Sequence, residues 1–227
     1  MEAKPSVLND VSKDIQVQLN RLIPEKVHQV ITVAIEKMTR GVIFGADYTT
    51  GKVRKHENLE ALEEHVMGRI KFYRNTAMAE GAVTGFGGIL LGLADFPLWL
   101  TLKMKMLFEI AANYGYDTKD YRERIYILHI FQLTFSSQRH RRKVFAAMRD
   151  WKKTCDELPE DISQFDWRNF QQEYRDYIDL AKLLQLVPGI GAVIGAYVNH
   201  RLTEKLGKTA MMAYRNRGVT TETRRAR

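Results

Sequence analysis

Cysteine is nearly absent from this sequence, since Cys155 is the one cysteine among 227 residues. A lone thiol cannot close a disulfide within the chain. The sequence therefore excludes a small extracellular domain held together by disulfides and favours a reducing compartment. The first residues also lack the apolar stretch and the small-residue cleavage site of a secretory signal peptide. We therefore expect a cytoplasmic protein.

Motifs that identify a reaction are missing too. The 6 histidines show no HExxH pattern or other familiar zinc spacing, so we predict no metal site. No Gly-x-Ser-x-Gly nucleophile elbow is present. The glycine-rich segment 85–88 is not followed by the Gly-Lys-Ser/Thr of a phosphate-binding loop. The sequence predicts no cofactor and does not name a substrate.

Strand-type alternation of apolar and polar residues is also lacking, whereas helical periodicity runs through nearly the whole chain. The clearest case is the segment 59–77, in which apolar residues recur every three or four positions. Hydrophobic residues make up 45% of the chain, which is enough for a sizeable core. We predict an all-α fold, a compact bundle of about eight helices. It forms a single domain over residues 1–217, followed by a flexible basic tail over 218–227.

Capping residues and helix breakers set the predicted ends of the helices. Glycine after the last apolar residue ends a helix, proline cannot continue one, and aspartate or threonine can begin one. The basic segment from residue 139 to 158 is expected to form a single helix. We predict four helices that run from Glu25 to Gly41, from Asp117 or Thr118 to Phe135, from Arg139 to Leu158, and from Gly191 to about Arg217.

An apolar segment from Gly81 to Leu102 contains one charged residue, Asp95. A single helix of roughly 20 apolar residues could span a bilayer. However, Asp95 is a preferred helix cap, and Pro97 suits the first turn of a new helix. We therefore predict two helices that form a hairpin at the centre of the bundle. The second is expected to run from about Phe96 until Gly115 stops it.

Glycines are spaced regularly along this hairpin and recur near the C-terminus. Four of them follow one another at intervals of four, three and four residues, which places them on one face of a helix. Each glycine inside a helix costs about 1 kcal/mol relative to alanine, so a compensating contact is expected. Close approach of two helices is such a contact, and the same hairpin could instead enter a lipid surface. The predicted helix-packing glycines are Gly81, Gly85, Gly88, Gly92, Gly191 and Gly195.

Positive charge is concentrated in two segments of a chain whose formal net charge is +8. One runs from residue 139 to 153, where Asp150 is the only acid, and the other extends from Lys205 to the end. Such segments are either solvated helix faces or surfaces for a polyanion. We rank an anionic membrane above nucleic acid because the glycine hairpin is an independent reason to expect lipid. The predicted anionic-surface residues are Arg139, Arg141, Arg142, Lys143, Arg149, Lys152 and Lys153.

Three acidic residues border the apolar hairpin, namely Glu80, Asp95 and Glu109. A carboxylate among apolar helices can act as a general acid or a proton relay, so these three are the candidate catalytic residues. The alternative is structural, with Asp95 as a helix cap and the two glutamates in ion pairs. Cys155 lies among lysines that could lower the pKa of its thiol.

Three segments together resemble the EcsC protein family. They are GAVTGFGGILLGLADFPLWL at 81–100, EIAANYGYD at 109–117 and LVPGIGAVIGAYVNHRLTEKLGKTAMMAYR at 186–215. The similarity extends over roughly residues 57–215. It implies a bacterial origin, an all-helical fold and a link to an ABC transporter. It implies no reaction and assigns no catalytic residue.

These observations lead us to expect a cytoplasmic accessory protein that associates peripherally with a membrane or with a membrane transporter. Two alternatives remain open. One is an enzyme near the membrane, hydrolase-like, that uses the carboxylates beside the hairpin. The other is a soluble helical scaffold whose glycines only allow tight packing.

Overall fold

The computed structural model describes residues 25–44, 56–84, 88–136, 138–166, 168–170 and 192–225. These residues form seven α-helices and one short 3-10 helix, which confirms the all-α prediction. Gly85 and Gly191 lie outside the described residues. The helices are α1 Glu25–Phe44, α2 Leu59–Thr84, α3 Gly88–Asn113, α4 Tyr121–Phe135, α5 Gln138–Arg149, α6 Trp151–Glu157 and α7 Ala192–Arg225, and the 3-10 helix is Ile162–Gln164.

Helix α7 makes extensive contacts with three other helices. It packs along α2 and also contacts α3 and α4, while α1 covers another side of α3 and α4. Within the described residues, α4 is buried around its circumference, since consecutive side chains from Glu123 to Leu128 are all inaccessible. A helix that is inaccessible on all sides belongs to the interior of a bundle.

Pro97 does not begin a helix as the sequence indicated. It lies inside α3, which runs without interruption from Gly88 to Asn113. A proline there removes one backbone hydrogen bond and costs about 3 kcal/mol or more. Pro97 itself is exposed, but Phe96, Trp99 and Leu100 beside it are buried. Burial of these three large side chains on both sides of Pro97 holds the segment helical, so the predicted break was wrong.

Three other helix ends differ from those predicted. Helix α1 continues past Gly41 to Phe44. Val42 and Ile43 are fully buried, and their packing stabilises the helix by more than the low helix propensity of Gly41 destabilises it. Helix α4 is capped by Asp120, whose carboxylate accepts the Arg122 amide at 2.9 Å. Asp117 and Thr118 instead belong to the preceding turn. Helix α7 extends past Arg217 to Arg225.

The basic segment forms two helices, where the sequence indicated one. Helix α5 ends at Arg149, Asp150 turns the chain, and α6 begins at Trp151. The bend lets Trp151 bury its ring against Tyr126, with 4.9 Å between the ring centroids. On α5, Met148 is buried, whereas Phe145 is 52% exposed.

Gly115 ends α3 as predicted. Its φ of +83° lies in the left-handed region that glycine adopts without strain. The Gly115 amide bonds to the Ala112 carbonyl at 2.9 Å, and the Tyr116 amide bonds to the Ala111 carbonyl at 3.1 Å. This pair of bonds is the Schellman motif, and it satisfies the last carbonyls of the helix.

Close helix packing at a glycine occurs between α7 and α2. A Cβ atom added to Gly207 would lie 2.7 Å from a side-chain carbon of Ile70. Gly207 is not one of the glycines selected from the sequence. Of those, Gly81 lies in α2 and Gly88 and Gly92 lie in α3, so the prediction that they share one face of a single helix was wrong. Gly195 lies in α7, and the packing assignment of these glycines stays a prediction.

None of the helices in the described part of the chain is both long enough and apolar enough to cross a membrane.

We predict that Gly207→Ala lowers the free energy of unfolding by about 1 kcal/mol. Overpacking against Ile70 costs about 1–3 kcal/mol and outweighs the gain in helix propensity of about 1 kcal/mol. Chemical denaturation measures the change. Gly68→Ala is the matched control, because a Cβ at Gly68 in α2 would meet no atom within 4 Å. That control should be neutral or stabilising. Equal effects of the two variants would contradict close packing at Gly207.

Candidate functional site

The basic residues predicted to contact an anionic surface lie together on α5 and α6. Six of the seven are exposed, and the seventh, Arg141, is half-buried. In the described part of the chain, five of the exposed residues form no ion pair. Their charge is therefore available to a partner. These five are Arg139, Arg142, Arg149, Lys152 and Lys153.

A cavity of about 670 Å³ opens beside this basic surface, between α4, α5, α6 and α7. Its volume is typical of a small-molecule site. Apolar side chains form much of its wall, among them Leu133, Met148 and Trp151. Arg149 and Lys152 are basic residues that both line the cavity and are exposed. No acidic side chain belongs to the described lining of the cavity.

Arg217 lines the cavity and is held by a buried carboxylate. Its guanidinium donates to Glu123 at 2.7 Å, and the Tyr214 hydroxyl donates to the other oxygen of Glu123 at 2.8 Å. The guanidinium carbon also lies 4.3 Å from the ring centroid of Tyr116 and 4.5 Å from that of Tyr126. The cation is thus enclosed by two aromatic faces and one carboxylate, an arrangement that holds it in one position.

Burial controls the protonation of this cluster. It raises the pKa of the Glu123 carboxyl, an effect that Arg217 and the hydrogen bond from Tyr214 oppose. Burial also raises the pKa of the Tyr214 hydroxyl well above its ordinary value, with the charge of Glu123 adding to the shift. The hydroxyl of Tyr214 therefore keeps its proton at neutral pH and remains a donor to Glu123.

Cys155 lines the cavity, but its thiol is not activated. Burial raises the pKa of the thiol above its ordinary value of 9.0, while Arg217 and Arg122 oppose the shift. The sequence indicated the opposite direction, because lysines are nearby in the chain. Desolvation outweighs those charges, so Cys155 is a weak nucleophile at neutral pH.

Trp151 has an unsatisfied hydrogen-bond donor beside the cavity. Its side chain is 5% exposed and lines the cavity, and its Nε1 has no acceptor among the described residues. A buried donor without a partner is unfavourable, and sites of this kind often accept a ligand or water.

Glu109 is the one candidate catalytic residue whose side chain the structure describes. Arg69 donates to both of its oxygens, at 2.5 and 3.1 Å, and the Tyr73 hydroxyl donates at 2.6 Å. Three donors satisfy this carboxylate and tie α3 to α2. These contacts are those of the ion pair that the sequence left as an alternative. The catalytic assignment of Glu109 stays a prediction.

Glu80 and Asp95 lie in the helical backbone of α2 and α3, and their side chains are outside the described part. Asp95 cannot be a helix N-cap, because it is the eighth residue of α3, which starts at Gly88. The structural alternative proposed for it from the sequence was therefore wrong. The catalytic assignments of Glu80 and Asp95 also stay predictions.

Sequence reasoning missed both the cavity and the Arg217 cluster. Arg217 and Glu123 are 94 positions apart in the chain, and Arg217 belongs to a basic segment that was interpreted as a solvated helix face or a surface for a polyanion. A spacing pattern cannot reveal a pair of this kind. The one available signal was the number of tyrosines near Glu123 and Arg217, which an arginine can stack against.

A family model described as the EcsC protein family matches residues 1–219 of the chain. Two proteins of Bacillus subtilis (strain 168) are similar to it. Protein EcsC is 43% identical over 209 residues, which cover 91% of this chain and 85% of the relative. Uncharacterized protein YdbA is 31% identical over 223 residues, which cover 88% of this chain and 81% of the relative. No solved structure is significantly similar to the chain.

We predict that Arg217→Met lowers the free energy of unfolding by about 3 kcal/mol or more, because it leaves Glu123 buried without its cation. Arg215→Met is the matched control. Arg215 is two residues earlier in α7 and is also paired with a glutamate, Glu63, but its side chain is 44% exposed. A solvent-exposed pair contributes little to stability, so this variant should lose much less. Thermal and chemical denaturation compare the two variants, and similar losses for both would contradict the importance of the buried pair.

We predict that the alkylation rate of Cys155 keeps rising with pH above 9. The thiolate is the reacting species, and burial raises its pKa above the ordinary value of 9.0. Iodoacetamide labelling followed by mass spectrometry gives the rate at each pH. The same chain in denaturant is the control and should titrate at the ordinary value. A rate that levels off at lower pH in the folded chain than in denaturant would refute the shift.

Proposed function

This chain belongs to the EcsC protein family, and we propose that it is an accessory protein that associates peripherally with an anionic membrane through α5 and α6. The observation that carries this role is the exposed basic surface formed by those two helices. We place the protein on the cytoplasmic face of the membrane. Service to an ABC transporter, which the family resemblance implies, is part of the same proposal.

Electrostatic attraction is the main force in this association. A lysine or arginine close to an anionic leaflet contributes about 1 kcal/mol. Arg139, Arg142 and Lys153 are exposed, lie on the same two helices and have no ion-pair partner within the described residues. Together with Arg149 and Lys152 they supply enough attraction for reversible binding, although not every one can touch the same plane.

An apolar contribution comes from Phe145. This ring is 52% exposed on α5, between basic residues on both sides in the chain. An exposed aromatic ring in a basic helix can enter the boundary between headgroups and acyl chains. Such a ring could also stack on nucleic acid, which is why nucleic acid is one arm of the test below.

We predict that the purified chain floats with vesicles that contain anionic phospholipid and that high salt releases it. Neutral vesicles should not bind it. Reversing three charges in the variant Arg139→Glu/Arg142→Glu/Lys153→Glu should abolish flotation, because attraction becomes repulsion. None of the three lines the cavity, so their replacement tests the surface alone.

The matched control is Lys37→Glu/Lys71→Glu/Lys105→Glu. These lysines are exposed on α1, α2 and α3, and their replacement changes the net charge by the same amount. This variant should float like the natural chain. Equal losses in both variants would show that only overall charge matters. Absence of flotation, or tighter binding to duplex DNA than to vesicles, would overturn the membrane role. Flotation that persists at high salt would show that apolar insertion exceeds the electrostatic attraction.

A further inference from the structure

We infer that the cavity between α4, α5, α6 and α7 binds an anionic amphiphile with a single acyl chain, a long-chain fatty acid in the simplest case. Apolar side chains line the interior, while basic side chains lie where the cavity meets the surface. A ligand of matching design has one apolar tail and one negatively charged head. Binding of such a monomeric ligand does not depend on attachment of the protein to a membrane.

The wall suits an acyl chain because it is apolar and adaptable. Leu133, Met148 and Trp151 belong to it, and Met148 and Trp151 are buried. Met212 and Phe145 also line the cavity and are 53% and 52% exposed. Methionine has three rotatable bonds and fits chains of varied shape. Two large exposed apolar side chains beside a cavity are unfavourable in water, and an alkyl chain would cover them.

The charges select a negative head. Arg149 and Lys152 line the cavity and reach solvent, and no carboxylate belongs to its described lining. A cationic head would meet repulsion from both residues, whereas a carboxylate or phosphate would be attracted. Arg217 does not attract a second anion, because Glu123 balances its charge at 2.7 Å. The positive charge that has no carboxylate partner therefore belongs to Arg149 and Lys152, where the cavity meets the surface.

Trp151 offers one further polar contact. Its buried Nε1 has no acceptor among the described residues, and Trp151 is next to Lys152 in the chain. An oxygen of the ligand head would accept this hydrogen bond while it contacts Arg149 and Lys152. The donor set and the apolar wall thus point to the same class of ligand.

Titration of the purified chain with palmitate, kept below its micelle concentration and without vesicles, tests this inference. Calorimetry gives the affinity. Hexadecyltrimethylammonium has the same chain length and a positive head, and it should bind at least about tenfold more weakly. Lysophosphatidic acid forms a second arm, since it carries a phosphate head, and comparison with palmitate tells which anionic head is preferred.

Two local readouts locate the ligand. Palmitate should slow the alkylation of Cys155, the one cysteine of the chain, because that thiol lines the cavity. Palmitate should also change tryptophan emission, and the change should disappear in Trp151→Phe. Binding without either effect would place the ligand elsewhere on the protein and would overturn the assignment.

Charge reversal at the surface end provides the decisive variant. Arg149→Glu/Lys152→Glu should weaken palmitate binding by about tenfold or more, since two attractions become repulsions. Both side chains are exposed, so the fold should be kept, and circular dichroism checks it. Lys71→Glu/Lys105→Glu makes the same change of charge at exposed residues outside the described cavity lining, and it should bind palmitate like the natural chain. Natural affinity in the Arg149/Lys152 variant would overturn the inference.

The outcomes for the cavity and for the membrane surface are separable. Palmitate binding without flotation would support the cavity assignment and overturn the membrane role. Flotation without palmitate binding would support the membrane role and overturn the cavity assignment. The Arg139/Arg142/Lys153 variant, whose residues do not line the cavity, should lose flotation and retain Cys155 protection by palmitate.

Discussion

Three buried or half-buried glutamates, each held by one arginine and one tyrosine, fix how the helices of this protein sit against one another. Arg69 and Tyr73 of α2 bind Glu109 of α3, Arg215 and Tyr114 bind Glu63 of α2, and Arg217 and Tyr214 of α7 bind Glu123 of α4. Each cluster joins two or more helices. A carboxylate taken out of water is unfavourable unless its oxygens are satisfied, so the contacts of the buried Glu109 and Glu123 contribute most, whereas the exposed Arg215–Glu63 pair adds little.

Helix α7 depends on this constraint most strongly, because it reaches three other helices at once. Near its start, Asn199 accepts from the Trp99 indole at 2.6 Å and donates to the Ala77 carbonyl at 3.2 Å. In its middle, Gly207 allows Ile70 to approach. Towards its end, Arg215 and Arg217 bind glutamates on α2 and α4. In the last of these contacts the guanidinium of Arg217 also lies over the rings of Tyr116 and Tyr126, and Arg217 and Tyr126 line the cavity.

Local signals in the sequence determined the parts of the fold that depend on a single residue or a single helix. Gly115 ends α3 because its φ of +83° favours glycine, and the periodicity of residues 59–77 identified α2. These local signals gave the wrong prediction where burial of neighbouring side chains favoured a different backbone structure. Pro97 stays inside a helix because its neighbours are buried, and the basic segment bends at Asp150 because Trp151 packs inward. The exposed basic residues could be predicted from the composition of their segment alone. The cavity could not be predicted, because the residues that form it come from four separate helices and no spacing in the chain relates them.

Ion pairing with glutamates also determines which basic side chains remain available to bind a partner. Arg69 of α2 and Arg215 and Arg217 of α7 are paired with glutamates, and Arg217 also contacts aromatic rings. These three arginines therefore link the helices and contribute little to the field outside the protein. The basic residues of α5 and α6 differ, since five of them have no ion-pair partner within the described residues and are exposed. The exposed positive charge of α5 and α6 therefore forms a basic surface that attracts anions. Because the cavity opens on that surface, an anion approaching the protein is attracted to the place where apolar side chains can also receive a tail.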